Sequence, residues 1–193
     1  MIVKMQAVLE WIKNYVLNIV SSPAQIIGFA GLLCSAVAFQ QRERNGILQF
    51  QLMAAVLFCI HFFMLGGYSG MAINLLSAVR TVVYYNKEQK WAQSLWWPVG
   101  FMLAFTAATA GIAILIPSEV PVWYNIFPLI GAYVYTLATY SDSAKVVRRT
   151  LWISSVVWIV YNVSVGSVAG VVTECIALTS EAVSIVRFDI LRK

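Results

Sequence analysis

Long apolar segments, separated by short polar ones, follow one another from about residue 24 to about residue 186. The polar separators read QRERNG, GGYSG, NKEQK, PSEVP, SDSAK and VGSVAG. A helix that crosses a bilayer needs about 20 mostly apolar residues. The pattern therefore predicts seven transmembrane helices, over about residues 24–40, 47–65, 70–86, 97–116, 123–140, 150–165 and 169–186.

The composition excludes several other classes of protein. Of the 193 residues, 61% are hydrophobic and 11% are charged, whereas a soluble domain carries about 25% charged residues. The 3 cysteines are odd in number and lie in apolar segments, which excludes a disulfide scaffold. The net charge of +5 is not gathered into a basic stripe with interleaved aromatics, so nucleic acid is not an expected partner. We expect an all-α, multi-pass membrane protein.

Lysine and arginine are distributed unequally between the two ends of the predicted helices. Cytoplasmic loops of membrane proteins carry an excess of these residues. If the first helix starts outside, the external side carries only Lys4 and Lys13. The cytoplasmic side then carries Arg42, Arg44, Lys87, Lys90, Lys145, Arg148, Arg149, Arg187, Arg192 and Lys193. This distribution predicts an external N-terminus and a cytoplasmic C-terminus.

Residues 1–22 differ from the other segments because Lys4, Glu10 and Lys13 interrupt their apolar residues. The apolar positions recur at helical spacing, which favours an amphipathic helix lying along the membrane interface. The alternative is an N-terminal extension of the first transmembrane helix, kinked at Pro23.

The chain contains an internal repeat with a period of one hundred residues. When residues 26–87 are laid over 126–187, three glycines of each segment coincide without a gap. The coinciding glycines are Gly31 and Gly131, Gly66 and Gly166, and Gly70 and Gly170. Each unit holds three predicted helices, so a second unit joined directly to the first would be inverted in the membrane. The single helix between the units makes both run in the same direction. This predicts parallel repeats in a 3+1+3 plan, which is the plan of SWEET-type transporters.

The repeat predicts four segments. They are an amphipathic helix over 1–22, a first three-helix repeat over 24–90, a linker helix over 91–120 and a second three-helix repeat over 121–193.

Two segments carry a more specific resemblance. HFFMLGGYSGMAINLLSAVRT at 61–81, and WIVYNVSVGSVAGVVTECIA at 158–177 with IVRF at 185–188, resemble the YgjV-type bacterial inner-membrane proteins. That family is distantly similar to the SWEET and PQ-loop (MtN3-like) transporters. The resemblance implies seven helices in two three-helix bundles and a place in the bacterial inner membrane. It implies no catalytic or binding residues.

Polar side chains form a stripe on the third predicted helix and another on the seventh. Asn74, Ser77, Thr81 and Tyr84 share one helical face. Their repeat mates are Glu174, Ala177, Glu181 and Ser184. Because the repeat relates the two stripes, we expect them to face each other and to bind a solute. The alternative for Glu174 is a structural bond to the outer turn.

Arg80 and Glu181 are ionisable residues at equal predicted depth, about 15–17 Å from the outer end of their helices. A charge inside a bilayer is costly unless it is paired. We therefore expect a buried ion pair with a separation of about 4 Å or less. The pair could take part in solute binding or only hold the two halves together.

His61, Tyr161 and Asn162 lie near the outer ends of the second and sixth predicted helices. Together with Asn74 and Glu174 they could line the outer part of a cavity. The alternative for His61 is a hydrogen bond to a backbone carbonyl. No partner stands at metal-ligand spacing from His61 and the cysteines do not converge, so neither a metal nor a cofactor is expected.

These features favour a transporter for a small polar or amphipathic solute, with alternating access between the two bundles. Glu174 is the candidate for solute binding or proton coupling, with Asn74 as its partner. The alternative is a receptor or interaction protein of the same fold that does not transport. No enzymatic activity is expected, since no nucleophile stands near a base. The expected partners are the solute and membrane lipids, and an oligomer is possible but not required.

Overall fold

The computed structural model describes Leu17 and residues 21–40, 44–116, 121–140 and 144–191. Within these residues the chain forms seven α-helices and no strand. The helices are α1 (Pro23–Gln40), α2 (Arg44–Met64), α3 (Tyr68–Tyr85), α4 (Trp96–Leu115), α5 (Ile126–Tyr140), α6 (Ala144–Ser164) and α7 (Val168–Ile185). Short 3-10 turns precede α4 and α5, and a π-turn follows α7. The predicted amphipathic helix over 1–22 lies largely outside the described residues.

The seven predicted transmembrane segments correspond to the seven helices of the described residues, with one clear shift of a boundary. Helix α6 begins at Ala144, six residues before the apolar segment from which it was predicted. Its first turns contain Lys145 and Arg149. Lysine and arginine are good helix formers, so the helix starts before the apolar residues do.

The two halves of the chain have helices of the same bounds at a spacing of 100 residues. Both ends coincide for α2 and α6 and for α3 and α7. The turns between them also coincide, since Gly66 has a φ of 71° and Gly166 a φ of 68°. The residues that follow these glycines donate backbone hydrogen bonds of 2.8 Å in both turns, Gly67 to Phe62 and Ser167 to Asn162. Only glycine adopts such a φ at little cost.

The helices pack on one another in chain order. In the first half α1 packs on α2 and α2 on α3, and in the second half α5 packs on α6 and α6 on α7. Contacts of α1 with α7 and of α3 with α5 join the halves. Helix α4 packs on α3 and α5, where Phe101 and Phe105 join a buried cluster with Ile73 and Ala132.

By length and composition alone, α4 is, among the helices described, the one that is long and apolar enough to cross a membrane. Apolar stretches of α1, α2 and α5 are shorter than that.

Candidate functional site

A cavity of about 220 Å³ lies between the two halves. Six helices line it, namely α1, α2, α3, α5, α6 and α7. Among the described residues, none of the side chains that line the cavity comes from α4. The cavity is therefore built by the two sets of three helices that the repeat predicts, with the linker helix outside.

Most of the residues that line the cavity correspond to one another at a spacing of 100. The nine corresponding pairs are Ser35 and Tyr135, Gln51 and Leu151, Ala54 and Ser154, Ala55 and Ser155, Phe58 and Trp158, Ile73 and Thr173, Asn74 and Glu174, Ser77 and Ala177, and Thr81 and Glu181. The same positions of the two halves thus face the same space. The side chains differ, and the carboxyl groups both come from the second half.

The two predicted polar stripes both reach the cavity. Asn74, Ser77 and Thr81 line it from α3, and Glu174 and Glu181 line it from α7. The Asn74 amide donates to the backbone oxygen of Gly70 at 2.9 Å, which leaves its Oδ1 for another partner. The Thr81 hydroxyl donates to the backbone oxygen of Ser77 at 2.8 Å.

The prediction of an ion pair between Arg80 and Glu181 is wrong. Both residues line the cavity, but Nη1 of Arg80 donates to Oγ1 of Thr136 at 2.6 Å. The Arg80 guanidinium also lies 4.7 Å from the centre of the Tyr135 ring. Arg80 stands one residue before Thr81 and so points about 100° away from the polar stripe. This direction takes it to α5, whereas Glu181 is on α7.

Glu174 and Glu181 share the cavity with Ser155. This serine, on α6, lies near both carboxyl groups. In the part of the chain that the structure describes, the ion pair within 4.0 Å is that of Arg149 with Asp189. Neither cavity carboxyl is thus ion-paired with a described residue, and Oε2 of Glu181 is buried with no hydrogen-bond partner.

His61 does not line the cavity, but packs beside it as a structural residue. Its side chain is fully buried. Nδ1 lies 2.6 Å from the backbone oxygen of Ala24, and Nε2 lies 2.7 Å from Oγ of Ser167. The backbone-bonded alternative for His61 therefore describes its environment, with a second bond to the other half of the fold.

Tyr161 and Asn162 also lie outside the cavity lining. The Tyr161 hydroxyl, on a side chain 1% exposed, accepts a bond of 2.8 Å from the backbone N–H of Gly70. Asn162 is 1% exposed and packs against Gly170, at which a Cβ would lie 2.0 Å from Oδ1 of Asn162. Tyr161 thus holds the start of α3 in place, whereas Oδ1 of Asn162 is buried without a hydrogen-bond partner among the described residues.

Gln25 adds a further link between the halves at the same end of the molecule. Its Nε2 donates to the backbone oxygen of Gly166 at 2.7 Å, and its Oε1 accepts from the N–H of Ala169 at 3.0 Å. We call the buried contacts of Gln25, His61 and Tyr161 with the opposite half the cross-half latch. On α2 and α6, His61 and Tyr161 lie between the cavity-lining Phe58 and Trp158 and the turns at Gly66 and Gly166.

Sequence reasoning missed the residues that α2, α5 and α6 contribute. Gln51, Tyr135, Ser155 and Trp158 all line the cavity. Gln51 and Ser155 are polar side chains inside apolar segments, which is a signal that could have indicated them. Tyr135 and Trp158 carry no such signal because aromatic residues are equally common on surfaces that face lipid.

The described residues contain no group of three or more His, Cys, Asp or Glu side chains that could hold a metal ion.

The comparisons with known proteins agree with the resemblance seen in the two quoted segments. The chain is 29% identical over 171 residues to the inner membrane protein YgjV of Escherichia coli (strain K12). The aligned region covers 88% of this chain and 86% of that protein. No solved structure matches. Residues 22–192 match the model of the Imp-YgjV family of bacterial inner membrane proteins. The chain therefore belongs to the YgjV family of bacterial inner membrane proteins.

Proposed function

We propose that the protein transports a small polar or amphipathic solute across the inner membrane. The observation that carries the proposal is the cavity between the halves, lined at nine pairs of positions that correspond across the repeat. Two similar halves around one site can alternate between two conformations, each of which opens the site to a different side of the membrane.

The surface supports a multi-pass arrangement in which all seven helices cross the bilayer. Each helix exposes large apolar side chains, which would be unfavourable in water over so much of a surface. Examples are Leu33, Phe63, Leu75, Leu103, Leu137, Ile153 and Val183, which are between 50 and 67% exposed. We keep the external N-terminus and cytoplasmic C-terminus as part of this proposal, since the distribution of Lys and Arg supports them.

Labelling of Lys4→Cys tests this topology in spheroplasts of a variant without Cys34, Cys59 and Cys175. We expect a membrane-impermeant maleimide to label Lys4→Cys in intact spheroplasts and Lys193→Cys only after permeabilisation. The reverse result would contradict the proposed orientation.

The 3+1+3 arrangement supports alternating access of the SWEET type. Helices α1–α3 and α5–α7 would rock against each other, while α4 connects them. The cross-half latch joins the halves at the end of the Gly66 and Gly166 turns, so their separation at that end requires the bonds of His61 and Tyr161 to break. Glu174, inside the cavity, is the group that would couple transport to protons.

The side chains assigned to solute binding are those that line the cavity, namely Asn74, Ser77, Thr81 and Glu174. We do not assign solute binding to His61, Tyr161 and Asn162, because they lie outside the cavity lining; the polar atoms of His61 and Tyr161 are bonded to the protein. No catalytic step, metal or cofactor forms part of this proposal.

Solute uptake by proteoliposomes, measured with a panel of labelled metabolites, tests the proposal. We expect one class of solute to accumulate, and Glu174→Gln to abolish its uptake or the dependence of uptake on a pH gradient. Glu88→Gln, which removes an exposed carboxyl outside the cavity, is the matched control. A solute that binds to the cavity but is never taken up would contradict transport and favour the receptor.

A further inference from the structure

The charges that face the cavity do not balance. Among the described residues, Arg80, Glu174 and Glu181 are the charged side chains in its lining. When all three are ionised, the lining carries one more negative than positive charge. A charge inside a low-dielectric space is costly unless it is neutralised by a partner.

The single positive charge is engaged away from the carboxyl groups. The Arg80 guanidinium is 5% exposed, donates to Thr136 and lies over the ring of Tyr135. Both of these partners are on α5, whereas the carboxyl groups are on α7. Arg80 thus takes part in the wall of the cavity, and no described cationic side chain is paired with either carboxyl group.

The two carboxyl groups are arranged to hold one shared partner. Glu174 and Glu181 are two turns apart on one face of α7, about 10 Å along the helix axis. Both side chains line the same cavity and lie near Ser155. Oε2 of Glu181 is left buried without a hydrogen-bond partner. A buried acceptor without a donor is costly, and a ligand that carries N–H groups would supply the donor.

Aromatic side chains line the same cavity as the carboxyl groups. Phe58 and Trp158, which correspond across the repeat, both line the cavity. Faces of Trp and Phe rings attract cations and also pack against apolar groups. The cavity volume of about 220 Å³ equals the share of about seven water molecules in the liquid, which limits the ligand to a small molecule.

We propose that the solute is a small organic cation. Its charged N–H group lies between Glu174 and Glu181, and its apolar part contacts Phe58 and Trp158. This inference rests on the proposed function for the transport step, but the binding of the cation stands on the cavity alone. The repeat explains why one cation binds in one orientation, because the corresponding positions of the first half are the neutral Asn74 and Thr81.

Calorimetric titration of the purified full-length protein in detergent tests the proposal with ligands of equal length and different charge. The probes are butylammonium, 1-butanol and butyrate, with 1,4-diaminobutane and guanidinium as further cations. We expect butylammonium to bind and to raise the Tm, and the neutral and anionic probes to do neither. Equal or tighter binding of butyrate or 1-butanol, or no binding of any of the three cations, would overturn the proposal.

Variants locate the bound cation. Removal of one partner from a buried charge pair costs about 2 kcal/mol or more, so Glu181→Gln should raise the Kd of butylammonium about 30-fold or more. Glu174→Gln serves as the second variant if Glu181→Gln does not fold. The control Glu88→Gln should leave the Kd within twofold. If Glu88→Gln weakens binding as much as Glu181→Gln does, the cation is not bound in the cavity.

The outcomes of binding and uptake separate this inference from the proposed function. Uptake of a neutral or anionic solute, without binding of any cationic probe, would contradict the proposal that the solute is a cation. The proposal of transport would stand. Binding of butylammonium without uptake of any cation would keep the site and count against transport. If sodium ions raise the Tm more than butylammonium does, the proposal of an organic cation is overturned, and the site binds an inorganic cation instead.

Discussion

His61 and Tyr161, which correspond across the repeat, each reach the turn of the opposite half. His61, on α2, lies 2.7 Å from the hydroxyl of Ser167 at the start of α7. Tyr161, on α6, accepts a bond of 2.8 Å from the N–H of Gly70 in the first turn of α3. The first N–H groups of a helix have no partner within the helix. Tyr161 thus satisfies a helix end of the first half, while Ser167, itself held by His61, caps the second through the N–H of Gly170.

The reciprocal arrangement of these residues joins two equivalent helix ends across one interface. Both side chains are at most 1% exposed, so their hydrogen bonds form without competition from water. Separation of the two halves at this end would break both bonds.

The latch predicts a loss of stability in Tyr161→Phe. This change leaves the buried N–H of Gly70 without its acceptor, which costs about 1–3 kcal/mol. We expect the Tm in detergent to fall by several degrees. Tyr85→Phe is the control, because the Tyr85 hydroxyl is bound only at 3.4 Å in an exposed contact with Gln49. A fall of equal size in both variants would contradict the role of Tyr161.

The environment of Arg80 predicts that Arg80→Lys lowers the stability of the protein and that Glu181→Gln does not. Arg80→Lys loses the planar stacking on Tyr135 and the bond to Thr136, which should cost about 1–3 kcal/mol. Glu181→Gln breaks no ion pair, so the stability of the unliganded protein should be unchanged or higher. Thermal unfolding of both variants measures this. A loss in Glu181→Gln as large as that in Arg80→Lys would show that the two residues are paired after all.

Two glycines predict substitutions of opposite sign. A Cβ at Gly170 would lie 2.0 Å from Oδ1 of Asn162, whereas one at Gly100 would meet nothing within 4 Å. Gly170→Ala should destabilise by about 1–3 kcal/mol because the site is overpacked. Gly100→Ala should stabilise by up to about 1 kcal/mol because alanine favours a helix. Equal Tm values for the two variants would contradict the close packing of α6 on α7.

The turns at Gly66 and Gly166 predict similar losses in Gly66→Ala and Gly166→Ala. Both glycines have a positive φ and open space around the Cβ position, so the cost comes from the backbone alone. That cost is about 1–2 kcal/mol for each, and the two falls in Tm should agree. Gly66→Asn is the control and should lose less, since asparagine tolerates this conformation. Unequal losses would show that the two turns are not equivalent.

Local sequence patterns were enough to predict the helices and the turns of this fold. A run of apolar residues has the same meaning wherever the rest of the chain lies, so the seven helices were predicted within a few residues, apart from the start of α6. The spacing of Gly66 and Gly166 likewise indicated the repeated turn, because a positive φ is a property of one residue. The stripe of Asn74, Ser77 and Thr81 follows from helical geometry and does face the cavity.

The partners of the polar side chains depend on contacts between helices that are distant in the chain. Equal depth of Arg80 and Glu181 suggested an ion pair, but depth along a helix does not specify the direction in which a side chain points around it. The packing of α3 against α5 places Thr136 and Tyr135 beside Arg80. Likewise, His61 and Tyr161 lie in the latch because α1 meets α7 and the turns fold over the ends of α2 and α6. Lateral neighbours and rotamers arise from long-range packing, which local periodicity does not encode.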